Sequence, residues 1–346
     1  METPRQTYLR LAPAEAAARI EALGGKPFHA AIVRREVFEN ARLDYEEMTG
    51  LSKELRDRLT RELPLLSTRE IARSTSADGT QKLLLELASG DTVETVWMPA
   101  RERGATVCVS TQVGCPVACP FCASGKLGLT RNLAAHEIVE QFLHARGLGP
   151  IARAVVMGIG EPLLNYTALA AALGVVNEEL GLGARRITVS TVGFPARLDR
   201  IAPTRPPFQL AISLHSPFDR QRWELVPAMD GVPVEEILAA GDRWFEVTGR
   251  EVTYEYVLLG GTNDSEAHAH ALAERLARRR ATVNLIPFNP IDGSPFERPS
   301  SAAADAFRDT LRAAGIVATV RWSRGLESDA ACGQLRIQKQ RDPSTR

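Results

Sequence analysis

At 346 residues the chain is long enough for one large α/β domain plus an appendage. Its 42 basic and 42 acidic residues cancel, so a nucleic-acid partner must be met by local basic patches. No uninterrupted apolar run reaches the length of a membrane span, and the opening METPRQTYLR lacks the charged-then-apolar pattern of a secretory signal. Five cysteines clustered around one loop are no secreted disulfide framework and point to a reducing, cytoplasmic compartment.

Residues 13 to about 65 read as helices: the apolar positions of AEAAARIEAL, HAAIVRREVFE and SKELRDRL recur at helical spacing, and Ser52 is placed to cap the third. This is a small helical appendage with nothing catalytic in it. From Thr75 the period becomes two. KLLLELA and TVETVWM form a hairpin through Ser89-Gly90-Asp91, and a third strand, TVCVS, leads into a cysteine-bearing loop.

That loop, VCVSTQVGCPVACPFCASGKLGLTRNL, sets Cys115, Cys119 and Cys122 at C-x3-C-x2-C spacing with Phe121 before the last cysteine. Three thiolates on one loop can hold a cubane iron–sulfur cluster while leaving one iron open to an exogenous chelate. An open position means chemistry rather than structure. The plainer reading is a zinc loop, but zinc wants a fourth ligand, and neither His136 nor His144 is well placed.

Beyond the loop, strands and helices alternate. Strands are predicted at Ala154–Met157, Ile187–Ser190, Phe208–Leu214, Val252–Leu258, Val283–Ile286 and Val317–Trp322. Helices are predicted at Ala134–Arg146, Tyr166–Leu180, Val234–Val247, Ser265–Arg280 and Ser301–Ala314. About six such units make a partial (β/α)6 barrel whose site gathers at the carboxyl ends of the strands. The suspicious residues fall there: Gly158 to Pro162, Ser190 to Gly193, Ser213 to Ser216, and Asn289. Singly each is ordinary loop chemistry, and Glu161 is equally a surface glutamate in a tight turn. Together, beside a cluster loop, they suggest a cofactor pocket in which the glycines let backbone approach a ligand and Glu161 meets an amine. Cys108, on the strand before the loop, reads as a buried structural thiol. Cys332, between Gly325 and Gly333, sits where a residue that must move would sit. Basic patches at Arg185–Arg186, Arg220 and Arg222, Arg278 to Arg280, and the tail with Lys339, Arg341 and Arg346 are candidate RNA contacts; each is also a plausible solvated face.

The C-x3-C-x-aromatic-C loop resembles that of radical S-adenosylmethionine (SAM) enzymes. Together with GKLGLTRNL, GIGEPLLN, STVGFP, AISLH, NLIPFNP and DAACGQL, it resembles the RlmN/Cfr family of radical SAM RNA methyltransferases over nearly the whole chain. The resemblance implies an α/β fold, a partial radical SAM barrel over 105–322, preceded by a helical accessory domain (1–74) and a β-hairpin extension (75–104), and followed by a C-terminal segment (323–346). It implies a [4Fe-4S] cluster on Cys115, Cys119 and Cys122, and SAM, two per turnover, against Gly160, Glu161, Ser190, Ser213, Leu214, His215 and Asn289. Cys332 would carry the methyl group, Cys108 would resolve the intermediate through a transient disulfide, and Glu94 would be the proton acceptor, although by sequence alone it is an ordinary exposed strand glutamate. The implied reaction is methylation of adenosine C2 in 23S rRNA and in tRNA, by a monomeric enzyme with flavodoxin or ferredoxin as reductant. Methylation at C8, a noncatalytic RNA-binding module on the same fold, and a radical SAM enzyme for a small molecule are the alternatives. All five cysteines speak against the second, and the Cys332 carrier would have no use in the third. Ser124 and Leu129 depart from the family's usual threonine and aromatic, and PFHAAIVRREVFEN lacks its usual tryptophan and glutamine; these put the choice of RNA in doubt.

Overall fold

A computed structural model of the chain describes residues 6–100, 104–126, 128–323 and 330–335; Gly325 and the basic tail with Lys339, Arg341 and Arg346 lie outside the described residues. Three helices open it: α1 (Pro13–Ala22), α2 (Pro27–Phe38) and α3 (Lys53–Glu62). Proline begins the first two, where its missing N–H costs no hydrogen bond. The Ser52 hydroxyl accepts from the Leu55 N–H to cap the third. Their apolar stripes close on Ile20, Val33, Val37, Leu55 and Leu59, all buried, and the Tyr45 hydroxyl donates to the Leu63 carbonyl at 2.9 Å.

Three strands follow: β1 (Arg69–Thr75), β2 (Gln81–Glu86) and β3 (Thr92–Met98), antiparallel to one another. The first falls inside the stretch 1–74 expected to be helical. Its sequence REIARST carries Arg69, Glu70 and Arg73, and charges on an edge strand hide the alternation that betrays inner strands. The β2–β3 turn at Ser89-Gly90 is as expected, with Gly90 at φ +82°.

β4 (Ala105–Cys108) pairs antiparallel with β3 and is the first strand of the barrel. The cysteine loop lies between β5 (Gln112–Gly114) and β6 (Leu129–Asn132), a short antiparallel pair too brief to be read from sequence. There follow α4 (Ala135–Arg146), β7 (Ile151–Val156), α5 (Tyr166–Leu180), β8 (Ile187–Thr191), α6 (Pro195–Ile201), β9 (Gln209–Ser213), α7 (Asp219–Leu225), α8 (Val234–Thr248), β10 (Val252–Leu258), α9 (Glu266–Leu276), β11 (Ala281–Pro287), α10 (Ser301–Ala313) and β12 (Val317–Val320). Among the described residues, β4 and β7 to β12 are parallel neighbours in chain order, β1 to β3 extend the same sheet beyond β4, and β1 and β12 are its edges. Six β/α units and a final strand therefore form an open barrel wall.

The helices α6 and α7 were not predicted, because seven residues each are too few to display a 3.6 period. The helix expected to run to Arg280 stops at Leu276, and Arg278 takes φ +70°. The appendage is tied to the barrel through α4. Buried Glu140 accepts the Ser67 and Thr68 backbone N–H groups at 2.7–3.0 Å, which orients the chain entering β1.

Candidate active site

The four loops at the carboxyl ends of β7, β8, β9 and β11 and the cysteine loop converge on one cavity. Cys115, Cys119, Cys122, Gly160, Glu161, Ser190, Ser213, His215 and Asn289 all line it, and so does Cys332 from the far end of the chain. A second cavity, of about 310 Å³, lies beside it and is lined by Cys108, Met98, Met157, Arg321 and again Cys332. Cys332 thus borders both spaces.

The segment 330–335 is stitched onto its surroundings. The Ala123 N–H donates to the Gly333 carbonyl at 2.8 Å and the Ser124 hydroxyl to the Leu335 carbonyl at 2.6 Å. Asn289 Nδ2 donates to the Cys332 carbonyl at 2.9 Å. Ser124, one of the departures noted above, is therefore a tether of the segment that carries Cys332.

Each polar group of the first cavity has a definable state. Glu161 is buried, and its carboxylate accepts from the Thr191 hydroxyl (2.6 Å) and from the Leu163 and Val192 N–H groups (both 2.9 Å). Burial still raises its carboxyl above the usual range against those donors. Three protein donors leave it room for about one more, since a carboxylate offers roughly four acceptor sites. It is thus no surface glutamate in a turn.

His215, at φ +65°, accepts the Val257 N–H at Nδ1 (3.1 Å), which leaves the ring proton on Nε2 as a donor. Burial, and then the nearby Arg222 cation, push its pKa down to about 3, so the ring is neutral. The Ser190 and Ser213 hydroxyls face each other at 3.2 Å across β8 and β9.

Several expectations need correction. The side chain of Leu214 is fully buried and does not line the cavity; its N–H and carbonyl bond Glu255 and Arg222. A Cβ on Gly158 or Gly160 would meet Val109, Ser110, Thr111 or Gln112 at 2.7–2.8 Å. These glycines therefore serve first to pack their loop against the segment after β4. Glu94 is not exposed: its side chain is fully buried and paired with Lys82 at 3.0 Å. It lines neither cavity, but it alternates on β3 with Val96, which packs on Cys108, and Met98, which lines the second cavity. Arg222 is no RNA contact. It is fully buried, donates to the Leu214, Val192 and Ser213 carbonyls, and keeps Nη1 without a partner. Of the other basic patches, Arg185, Arg186 and Arg220 are exposed, whereas Arg279 is held by Glu235 and Asp242.

Three site residues were not foreseen: Arg222, Glu255 and Arg321. The available signal was a charge where an inner parallel strand should be apolar, as in the VTYEYVL of β10. Glu255 lines the first cavity, and Asn284 donates to it at 2.8 Å. Burial pushes its carboxyl up to about 7, against the pull of Arg321. Arg321 is held above its usual value chiefly by Cys332, then by Glu255 and Cys108.

With a folded pKa of about 7 above the unfolded 4.5, the stability tied to the protonated Glu255 is fully present below pH 4.5 and lost as pH rises through 7. Denaturation of cluster-free protein should show Glu255→Gln losing less stability than wild type between those values, by about 3 kcal/mol. Parallel curves would exclude the assignment.

The comparisons with known proteins agree with this geometry. Residues 109–273 match the model of the radical SAM superfamily, and residues 9–64 match that of the ribosomal RNA large subunit methyltransferase N-terminal domain. A probable dual-specificity RNA methyltransferase RlmN of Rhodopirellula baltica is 44% identical over 319 residues, 90% of this chain and 86% of the relative. Another, of Parasynechococcus marenigrum, is 44% identical over 92% of this chain and 95% of its own. The chain belongs to the RlmN family of radical SAM RNA methyltransferases. The crystal structure of a radical SAM methyltransferase from Sphaerobacter thermophilus superposes on this RlmN-family chain with a TM-score of 0.89, at 43% identity, covering 96% of this chain and 99% of that one.

An RlmN-family enzyme implies a [4Fe-4S] cluster and SAM, and the residues present fit both. Among the described residues no three His, Cys, Asp or Glu side chains gather tightly enough for a metal ion. The three thiols line one cavity, and three thiolates on one loop suit a cubane that keeps one iron open. Burial pushes Cys115 up to about 12 and raises Cys119 and Cys122 as well. Cys115 and Cys122 further oppose ionisation of Cys119, and Arg222 favours it. Such thiols ionise when iron binds them, and the unpartnered Nη1 of Arg222 beside them suits an anionic cluster. Asn289 Oδ1, buried in the wall without a donor, suits a polar ligand.

Proposed function

We propose that this enzyme methylates C2 of adenosine in RNA, with 23S rRNA and tRNA as substrates, through a methyl group carried on Cys332. The observation that carries the reading is the position of Cys332 between the cavity of the three cysteines and the cavity of Cys108. When bound, the cluster and SAM, two molecules per turnover, supply the methyl group and the one-electron chemistry that removes a hydrogen atom from it. Cys115, Cys119 and Cys122 would hold the cluster, and the loops with Gly160, Glu161, Ser190, Ser213, Leu214, His215 and Asn289 would hold SAM. Leu214 would take part through its backbone surroundings, since its side chain is core.

The chain's own residues do the rest. Cys332, as thiolate, takes the methyl group by displacement. Arg321 lines the second cavity with both thiols and places a cation there. The methyl carbon, one hydrogen short, bonds to the adenine ring, which must be unstacked to enter a cavity. Glu94 accepts the ring proton once the base lies against the β3 face; Lys82 keeps its carboxylate oriented. The odd electron of the adduct would return to the cluster; Cys108 then attacks the Cys332 sulfur, so that the S–S bond forms as the sulfur–carbon bond breaks, the leaving carbon takes a proton to become the methyl group, and cytoplasmic thiols reduce the disulfide. Flavodoxin or ferredoxin would supply the electron, and the enzyme would act as a monomer. Among the described residues no helix is long and apolar enough to cross a membrane.

Mass spectrometry of nucleosides from rRNA and tRNA treated with the reconstituted enzyme tests this. The expected product is 2-methyladenosine; methylation at C8, or none, would overturn the assignment.

A further inference from the structure

Trp322 lies just past β12 and lines the cavity shared by Cys108 and Cys332. Large aromatic side chains are normally mostly buried, and the other three tryptophans are buried or half-buried. Trp322 is 44% exposed. Its ring is not left to swing: the Arg298 guanidinium sits over it at 5.4 Å from the centroid, a cation–π contact that fixes the plane of the indole. The same guanidinium puts a positive charge beside the indole, which a phosphate can meet. A partly exposed indole beside a cation, at the rim of a cavity a nucleobase must enter, has the composition of a single-stranded RNA platform.

We propose that Trp322, fixed by Arg298, is a stacking platform for an unpaired base of the RNA substrate at the mouth of the thiol cavity. The proposal deepens the reading above and rests on RNA entering by that cavity. One face of the indole is held by Arg298, and the other receives the base. The platform tolerates any base, because every base has a π face. It therefore contributes affinity and positioning, while the choice of adenine is left to the cavity itself.

The test is equilibrium binding of a short single-stranded RNA to the anaerobically purified holoenzyme without SAM, alongside the same RNA carrying one abasic site at the target position or its neighbour. Trp322→Ala should weaken binding of the intact RNA by about tenfold, Trp322→Phe should keep most of it, and Arg298→Met should fall between them. Against the matching abasic RNA, Trp322→Ala and wild type should bind alike. Binding of intact RNA should also quench tryptophan emission in wild type and not in Trp322→Phe. Equal affinity of wild type and Trp322→Ala for intact RNA would overturn the platform, as would an equal loss on both abasic RNAs. The C2 assignment fails separately, by the wrong methylated nucleoside, and leaves the binding difference standing.

Discussion

Cys108→Ala enzyme, supplied with SAM, reductant and RNA, is expected to accumulate a covalent RNA–protein adduct through Cys332, with release of methylated RNA slowed on the order of a thousandfold. Cys108 is buried at the end of β4, and its thiol and that of Cys332 face one cavity. Burial, and then the neighbouring Cys332, push Cys108 up to about 12 while Arg321 pulls it down. It is thus a poor nucleophile until its surroundings change, which suits a thiol that must wait until the adduct has formed. Alanine removes the attacking sulfur and leaves Cys332 in place. Denaturing gel electrophoresis before and after nuclease digestion reads the result. RNA-free Cys108→Ala protein under conditions where wild type turns over would refute the two-thiol scheme. A Cys108→Ala, Cys332→Ala double variant should form no adduct at all.

Cys119→Ala is the second large effect. The three thiols of the loop are the cluster's proposed ligands, and two cannot retain a cubane. Iron content after anaerobic reconstitution should fall from roughly four per chain to near zero, with loss of the visible charge-transfer absorbance and of RNA methylation. Cys119 is in contact with the core, so circular dichroism must establish that the apoprotein stays folded. Wild-type protein holding a single zinc, or Cys119→Ala retaining both iron and turnover, would remove the basis for the cluster.

Much of this molecule was legible before its fold. The strand ends at Gly158, Ser190, Ser213 and Asn289 stand out in the sequence because turn-forming residues recur at the same end of four apolar strands. A parallel barrel brings those ends to one rim. The capping of α3 by Ser52 and the Ser89-Gly90 turn were legible for a different reason: both are settled by neighbours within four residues. What was misread is equally specific. Arg222 looked like surface charge because nothing local reveals that its guanidinium turns inward onto three strand-end carbonyls. Glu94 looked exposed because its partner, Lys82, comes from the adjacent strand. β1 looked like part of the helical appendage because its charges mask its period.

The sequence by itself determined the alternation of the longer strands and helices beyond the cysteine loop, the three-cysteine loop and the RlmN resemblance, since each depends on residue type and on spacing along the chain. Only the tertiary structure decided that Cys332 borders two cavities, that Glu255 and Arg321 stand beside the thiols, and that Trp322 opens onto their rim. Cys108 with Cys332, Glu255 with Arg321 and Cys108 with Trp322 are each more than 60 positions apart in the chain, and burial and charge at such distances are set by packing rather than by pattern.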